Sequence, residues 1–188
     1  MKRVTVIALA ESALMLALAT IMSFVVIYQM PYGGTVTLCS MVPILYIAFR
    51  YPIKWALITA FSHGMLQIIL GFYPPPARTA LAFAGVVLLD YLIAFSVLGL
   101  AGLFARPIRG IKGMLLGSSI AIFARFLCHF LSGILIWRSY APEGQPAAIY
   151  SLLYNGSFML AEWILSVVAL TALVKILPKR ITERMARI

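Results

Sequence analysis

Charge is the scarcest commodity in this 188-residue chain. Only 11% of residues are Asp, Glu, Lys or Arg, and 63% are hydrophobic, with a mean hydropathy of +1.03. A soluble domain carries roughly 25% charged residues, so this one lacks the polar surface a water-exposed globule needs, and its apolar content excludes intrinsic disorder. Cysteine is equally sparse. Cys39 and Cys128 both lie in apolar runs and build no disulfide framework. No HExxH, GxSxG or GxxxxGK[ST] pattern occurs, and no Cys/His set has zinc spacing. Two histidines and a single intramembrane aspartate are thin material for an enzyme. No metal and no bound cofactor are expected, and without a nucleotide site any active transport requires a separate motor.

What is present is a series of long apolar runs. A membrane-crossing helix needs about 20 mostly apolar residues. Six candidates lie between Pro- and Gly-rich breaks: Val6–Tyr28, Leu38–Phe49, Trp55–Phe72, Thr79–Phe104, Gly113–Trp137 and Ala147–Leu177. The second is short and interrupted at Pro43, near the length of a buried or re-entrant segment. Met1-Lys2-Arg3 before an apolar run has the look of a secretory signal, but Glu11 interrupts it and no small-residue cleavage site follows. The reading is a first transmembrane helix. The expected architecture is one all-α membrane domain over residues 1–188, with six transmembrane helices.

The net charge of +10 then reports topology and not nucleic acid. One set of flanks carries Lys2, Arg3, Arg50, Lys54, Arg106, Arg109, Lys112, Lys175, Lys179, Arg180, Arg184 and Arg187; the other carries only Arg78 and Arg138. The positive-inside rule places both termini in the cytoplasm of a multi-pass cell-membrane protein. The C-terminal basic cluster has two readings, contact with anionic membrane lipid and a plain cytoplasmic stop signal, and the second is favoured.

Ionisable groups inside a span cost about 2.5–3.5 kcal/mol on insertion scales and are functional candidates by default. They are Glu11, His63, Asp90, Arg125, His129 and Glu162. Asp90 and Arg125 both fall about 17 Å into their spans at 1.5 Å per residue, so the antiparallel fourth and fifth helices bring them to one level. A buried ion pair is one reading, and it does not exclude a binding role. Arg125, His129, Gly133 and Trp137 recur every four residues and share one face of the fifth span. That stripe carries a charge, an imidazole, a gap and an indole. The glycine either leaves room for a ligand or admits a neighbouring helix. Beyond it come Tyr150 and Asn155. A tyrosine there is an ordinary belt residue, whereas a buried amide needs partners. A carboxylate near aromatic faces suits a flat cationic ring.

Several segments together resemble the thiamine-specific S components of energy-coupling factor (ECF) transporters. They are Tyr32-Gly33-Gly34-Thr-Val, Val42-Pro43-Ile44, Leu89-Asp90-Tyr91, Arg125-Phe-Leu-Cys-His129-Phe-Leu-Ser-Gly133, Trp137-Arg-Ser-Tyr-Ala-Pro142 and Tyr150-Ser-Leu-Leu-Tyr-Asn155. The likeness covers nearly the whole chain. It implies a six-helix subunit of a prokaryotic plasma membrane that binds thiamine and catalyses nothing. Its partners would be a transmembrane T component and two ABC-type ATPases, which consume the ATP. It further implies that Asp90, Tyr91, Arg125, His129, Gly133, Trp137, Tyr150 and Asn155 contact the ligand. Where some relatives have tryptophans, this chain has Gly34 and His63, and the family's frequent glutamate is the shorter Asp90. These departures remove stacking surface. They keep open an S component for another small vitamin or a pyrimidine precursor. Tyr73 is a further candidate contact. Ala13 and Ala17 form an AxxxA pattern of the kind that meets the T component in this family, although such a pattern also serves internal packing. An intramembrane enzyme using Asp90 and His129, and a small solute channel, are the rivals from other classes.

Overall fold

The computed structural model describes residues 3–108 and 110–176. Lys2, Arg109 and the basic residues 179–187 lie outside these. Six helices follow in order: α1 Arg3–Phe24, α2 Val42–Arg50, α3 Ile53–Gly71, α4 Ala80–Ala105, α5 Ile111–Leu135 and α6 Ala147–Ile176. Among the described residues, all but α2 are long and apolar enough to cross a membrane. Outward-facing side chains such as Leu14, Ile21, Ile69, Leu81 and Leu135 are exposed, as a lipid-facing surface requires.

Helix α2 is the short second segment. Its nine residues span only about 13 Å, and Ile44, Leu45, Ile47 and Phe49 are all but fully buried. It is a core helix enclosed by α1, α3, α4 and α6. Pro43 does not interrupt it but opens it, at the first turn, where the missing N–H costs nothing.

The first apolar run departs from expectation. The helix stops at Phe24, and Val26–Gln29 (β1) pairs antiparallel with Thr35–Thr37 (β2), with Tyr28 opposite Val36 and Gln29 opposite Thr35. The run Val25-Val26-Ile27-Tyr28 is β-branched and aromatic, which suits an extended strand; hydrophobicity alone does not separate that from a helix end. The turn between the strands puts Tyr32 at φ 65° and Gly33 at φ 98°, and Tyr32 is held there by stacking on Tyr140 at 4.0 Å.

Helix α4 is irregular. Val87–Leu92 forms a π-helical stretch and Val97–Leu100 a tightened 3-10 turn. Close packing on α3 brackets this distortion: a Cβ at Gly64 would come within 2.9 Å of the Tyr91 carbonyl oxygen, and one at Gly99 within 2.9 Å of the Ala56 backbone. Two polar clamps tie other elements together. Arg50 donates from Nε and Nη2 to the Glu11 carboxylate at 3.1 Å each, joined by the Tyr51 hydroxyl at 2.7 Å. Burial and this bond push the Tyr51 phenol up to about 12. At the other clamp, Glu162 Oε1 accepts from the Thr37 N–H and hydroxyl at 2.5 and 2.7 Å, which pins the foot of the hairpin to α6.

Candidate functional site

A cavity of about 330 Å³ opens beneath the β1–β2 hairpin, between α3, α4, α5 and α6. It lies at the lower end of the range for small-molecule sites. Asp90, Tyr91, Arg125, His129, Gly133, Trp137, Tyr150 and Asn155 all line it. Asp90 and Tyr91 come from the π-helical stretch of α4. Such widened turns frequently mark functional sites.

Asp90 is the polar centre. Its Oδ1 meets His129 Nδ1 at 2.9 Å, and its Oδ2 accepts from the Ser132 hydroxyl at 2.6 Å and from Trp137 Nε1 at 3.0 Å. This is the acceptor-only pattern of an ionised carboxylate. Arg125 Nε donates to His129 Nε2 at 3.3 Å, which leaves Nδ1 as the imidazole's own donor and makes the ring neutral. The chain of bonds therefore runs Arg125 to His129 to Asp90.

The direct Asp90–Arg125 pair expected from equal depth does not form, and the reason is geometric. Side chains lean toward the N-terminus of their own helix. On antiparallel α4 and α5, two groups at one level therefore lean apart, and His129 fills the gap. The Arg125 guanidinium instead sits over the Phe95 ring, 4.1 Å from its centroid, in cation–π geometry.

The stripe of four residues is also modified. Arg125, His129 and Gly133 lie on α5, but Trp137 belongs to a 3-10 turn, Trp137–Tyr140, that follows the helix. The turn swings the indole back so that its N–H reaches Asp90. Gly133 serves packing as well as the cavity. A Cβ there would collide with the Ser151 side chain and lie 3.0 Å from Asn155 Nδ2. That amide nitrogen donates to the His129 carbonyl at 3.2 Å and to Ser151 Oγ at 3.1 Å, binding α6 to α5 at the cavity wall.

Aromatic rings form the mouth. Trp137 packs 5.8 Å from Tyr73 and 5.9 Å from Tyr140, and Tyr150 stacks 5.7 Å from Tyr154. Tyr91 donates from its hydroxyl to the Gly71 carbonyl at 3.1 Å and accepts from Tyr73 N–H at 2.9 Å. Tyr154 donates to the Pro31 carbonyl and accepts from Gly34 N–H at 3.0 Å. A Cβ at Gly34 would come within 2.9 Å of that hydroxyl, so Tyr154 occupies the space a larger residue at position 34 would take.

Three expectations from the sequence fall elsewhere. His63 is not among the lining residues; it is 1% exposed and edge-on to Phe95 at 4.9 Å. Phe95, against which it packs, lines the cavity instead. Glu11 and Glu162 serve the two clamps and line no part of this cavity. Conversely, Ser132, Tyr154 and Gln67 were not singled out. The signal for Tyr154 was its four-residue spacing from Tyr150. Ser132 gave none, because a helix serine commonly bonds its own preceding turn. Ala13 and Ala17 both lie on the exposed face of α1.

Known proteins resemble this chain over most of its length. A family model described as "Thiamine transporter protein (Thia_YuaJ)" matches residues 9–182. The "Thiamine transporter ThiT" of Bacillus subtilis (strain 168) is 35% identical over 185 residues, 91% of this chain and 92% of that protein. The ThiT of Lacticaseibacillus paracasei is 30% identical over 158 residues, 74% of this chain. A solved structure of ThiT from Listeria monocytogenes shares the fold, with a TM-score of 0.75 at 24% identity, covering 94% of this chain and 98% of that one.

Proposed function

The chain belongs to the thiamine transporter protein family, and from that premise we propose that it is the thiamine-binding S component of an ECF-type vitamin importer. A member of a transporter family, it is a multi-pass membrane protein and not an enzyme. The observation that carries the substrate is Asp90: an ionised carboxylate, bonded only to neutral donors, in a cavity walled by aromatic rings.

Thiamine joins a cationic thiazolium to a flat aminopyrimidine. In the proposed pose Trp137, Tyr150 and Tyr91 supply stacking faces, worth about 0.5–1.5 kcal/mol per pair beyond burial, while Asp90 offsets the ring charge. His129 and Ser132 hold that carboxylate in place. Asn155 has spent amide protons on α5 and Ser151, so its oxygen is the acceptor offered to the pyrimidine amine. Arg125 sets the electrostatics from below. The hairpin and Tyr154 cover the site on the side away from Arg50, which in this reading is the outer face, with both termini cytoplasmic. A site for another small vitamin or a pyrimidine precursor is the second reading, favoured by Tyr154 filling the space near Gly34, where the family resemblance implies a tryptophan in some members.

Delivery requires a T component and two ABC-type ATPases. The exposed small face of α1 at Ala13 and Ala17 is where a partner helix would approach closely. Ala13→Trp and Ala17→Trp are expected to abolish co-purification with a co-expressed T component while leaving thiamine binding within twofold of wild type. Intact assembly in both variants would remove this face from the interface.

A further inference from the structure

The cavity has a second polar wall, and it carries no charge. Ser23 from α1, Gln29 and Thr35 from the hairpin and Gln67 from α3 line it, with no Asp, Glu, Lys, Arg or His among the lining residues of these elements. Asp90 and Arg125 lie on α4 and α5. A neutral wall of this kind suits an uncharged polar group on a ligand, since a charged one would lose its hydration there without a counter-charge.

One group on this wall is fixed in direction. The Ser23 hydroxyl donates to the Thr20 carbonyl at 2.7 Å, and a hydroxyl has a single proton to give. Ser23 Oγ can therefore only accept from Gln67, whose Nε2 lies 3.1 Å away. This network decides which end of the amide is nitrogen, and it turns Gln67 Oε1 away from Ser23. No described residue donates to Oε1, and the atom is not buried. It is an open acceptor on a cavity-lining residue. An amide held before the ligand arrives also spares the cost of ordering it on binding. Gln29 is exposed and has no such anchor among the described residues.

The helices neighbour one another in the order α6, α5, α4, α3, α1. Asn155 stands on α6, Asp90 on α4 and Gln67 on α3. Thiamine is elongate in the same sense: aminopyrimidine, thiazolium, then a hydroxyethyl tail on a different ring atom. With the pyrimidine amine at Asn155 and the cationic ring at Asp90, the tail is left for α3. We propose that Gln67 is a specificity-determining residue that accepts a hydrogen bond from the tail hydroxyl, and that Ser23 is a positioning residue that holds the amide for it. The site then reads the uncharged end of the ligand as well as its charge. The inference rests on the reading of the cavity as a thiamine site.

The test is isothermal titration of the detergent-purified full chain with thiamine and with an analogue in which a methyl group replaces the tail hydroxyl, so that size is kept and the donor lost. The readout is the ratio of the two affinities. Wild type is expected to favour thiamine about fivefold, the usual worth of one neutral hydrogen bond. Gln67→Met keeps the length of the side chain without its acceptor and is expected to bring the ratio to about one. Ser23→Ala frees the amide to turn and is expected to lower the ratio to about twofold, an effect that a merely structural serine would not have. Asp90→Asn is expected to weaken both ligands alike and keep the ratio. A ratio near one in the wild type, or an unchanged ratio in Gln67→Met, would overturn the proposal; the first criterion needs no variant to fold. An unchanged ratio in Ser23→Ala would remove the positioning role. Failure of the wild-type chain to bind either ligand would instead overturn the function proposed above, and this inference with it.

Discussion

Glu11 and Asp90 are both carboxylates on membrane-spanning helices, and both have an arginine nearby, yet the two arrangements differ in how the charge is met. Glu11 takes a bidentate fork from Arg50 and a third bond from Tyr51. Its lone pairs point at a cation, and the group is finished. Asp90 is bonded to a neutral imidazole, a hydroxyl and an indole, with Arg125 one residue removed through His129. Its oxygens are oriented but their charge is not cancelled at contact. A fork of the first kind holds helices together. The relay holds a carboxylate ready for a cation that comes and goes. The same side chain is structural or ligand-binding according to whether the arginine touches it.

The largest expected effect of breaking this contrast is at Asp90. Asp90→Asn keeps the size but removes the charge and converts one acceptor oxygen into a donor facing Ser132 and Trp137 or His129. Thiamine affinity, followed by quenching of tryptophan fluorescence, is expected to fall by about a hundredfold, roughly 3 kcal/mol, as for the loss of one partner of a buried charge pair. Wild-type affinity in that variant would make the Asp90 cluster structural, like the Glu11 one.

The mirror experiment removes the fork. Arg50→Met takes the bidentate fork away from Glu11. The Arg50 and Glu11 side chains are 16% and 28% exposed, so solvent softens the penalty to about 1–2 kcal/mol. The thermal midpoint is expected to fall by several degrees with thiamine affinity within twofold. Loss of binding at full stability would show that the two regions are coupled.

A smaller change sharpens the role of the hairpin. Tyr154→Phe keeps the ring against Phe158 but removes the hydroxyl that bonds Pro31 and Gly34. About 0.5 kcal/mol per lost bond, the low end of the range for such bonds, is expected to appear mainly as faster thiamine dissociation, by about fivefold in stopped-flow measurements.

Much of this was legible in the sequence, because membrane proteins announce their helices by composition and their sites by misplaced polarity. Asp90, His129 and Arg125 stand out as ionisable groups where the bilayer tolerates few, and the four-residue spacing puts His129, Arg125 and Gly133 on one face. What composition does not carry is direction. Equal depth suggested that Asp90 touches Arg125, but the lean of side chains along antiparallel helices puts His129 between them. The hairpin was read as the end of a helix because Val26 and Ile27 are as apolar as any span residue. The π-helical stretch that brings Asp90 and Tyr91 into one wall depends on how closely α3 approaches at Gly64, a tertiary fact with no local signature. His63 was expected at the ligand because of its place in the family pattern, while the fold puts Phe95 between it and the cavity.

The most direct measurement is isothermal titration of the detergent-purified wild-type chain with thiamine, alongside pyridoxine, riboflavin and the hydroxymethylpyrimidine fragment. The account predicts saturable one-to-one binding of thiamine, with the fragment weaker by more than tenfold and the other two vitamins silent. Binding of the fragment as tight as thiamine, or of another vitamin in its place, would contradict the assignment of Asp90 as the partner of a cationic ring.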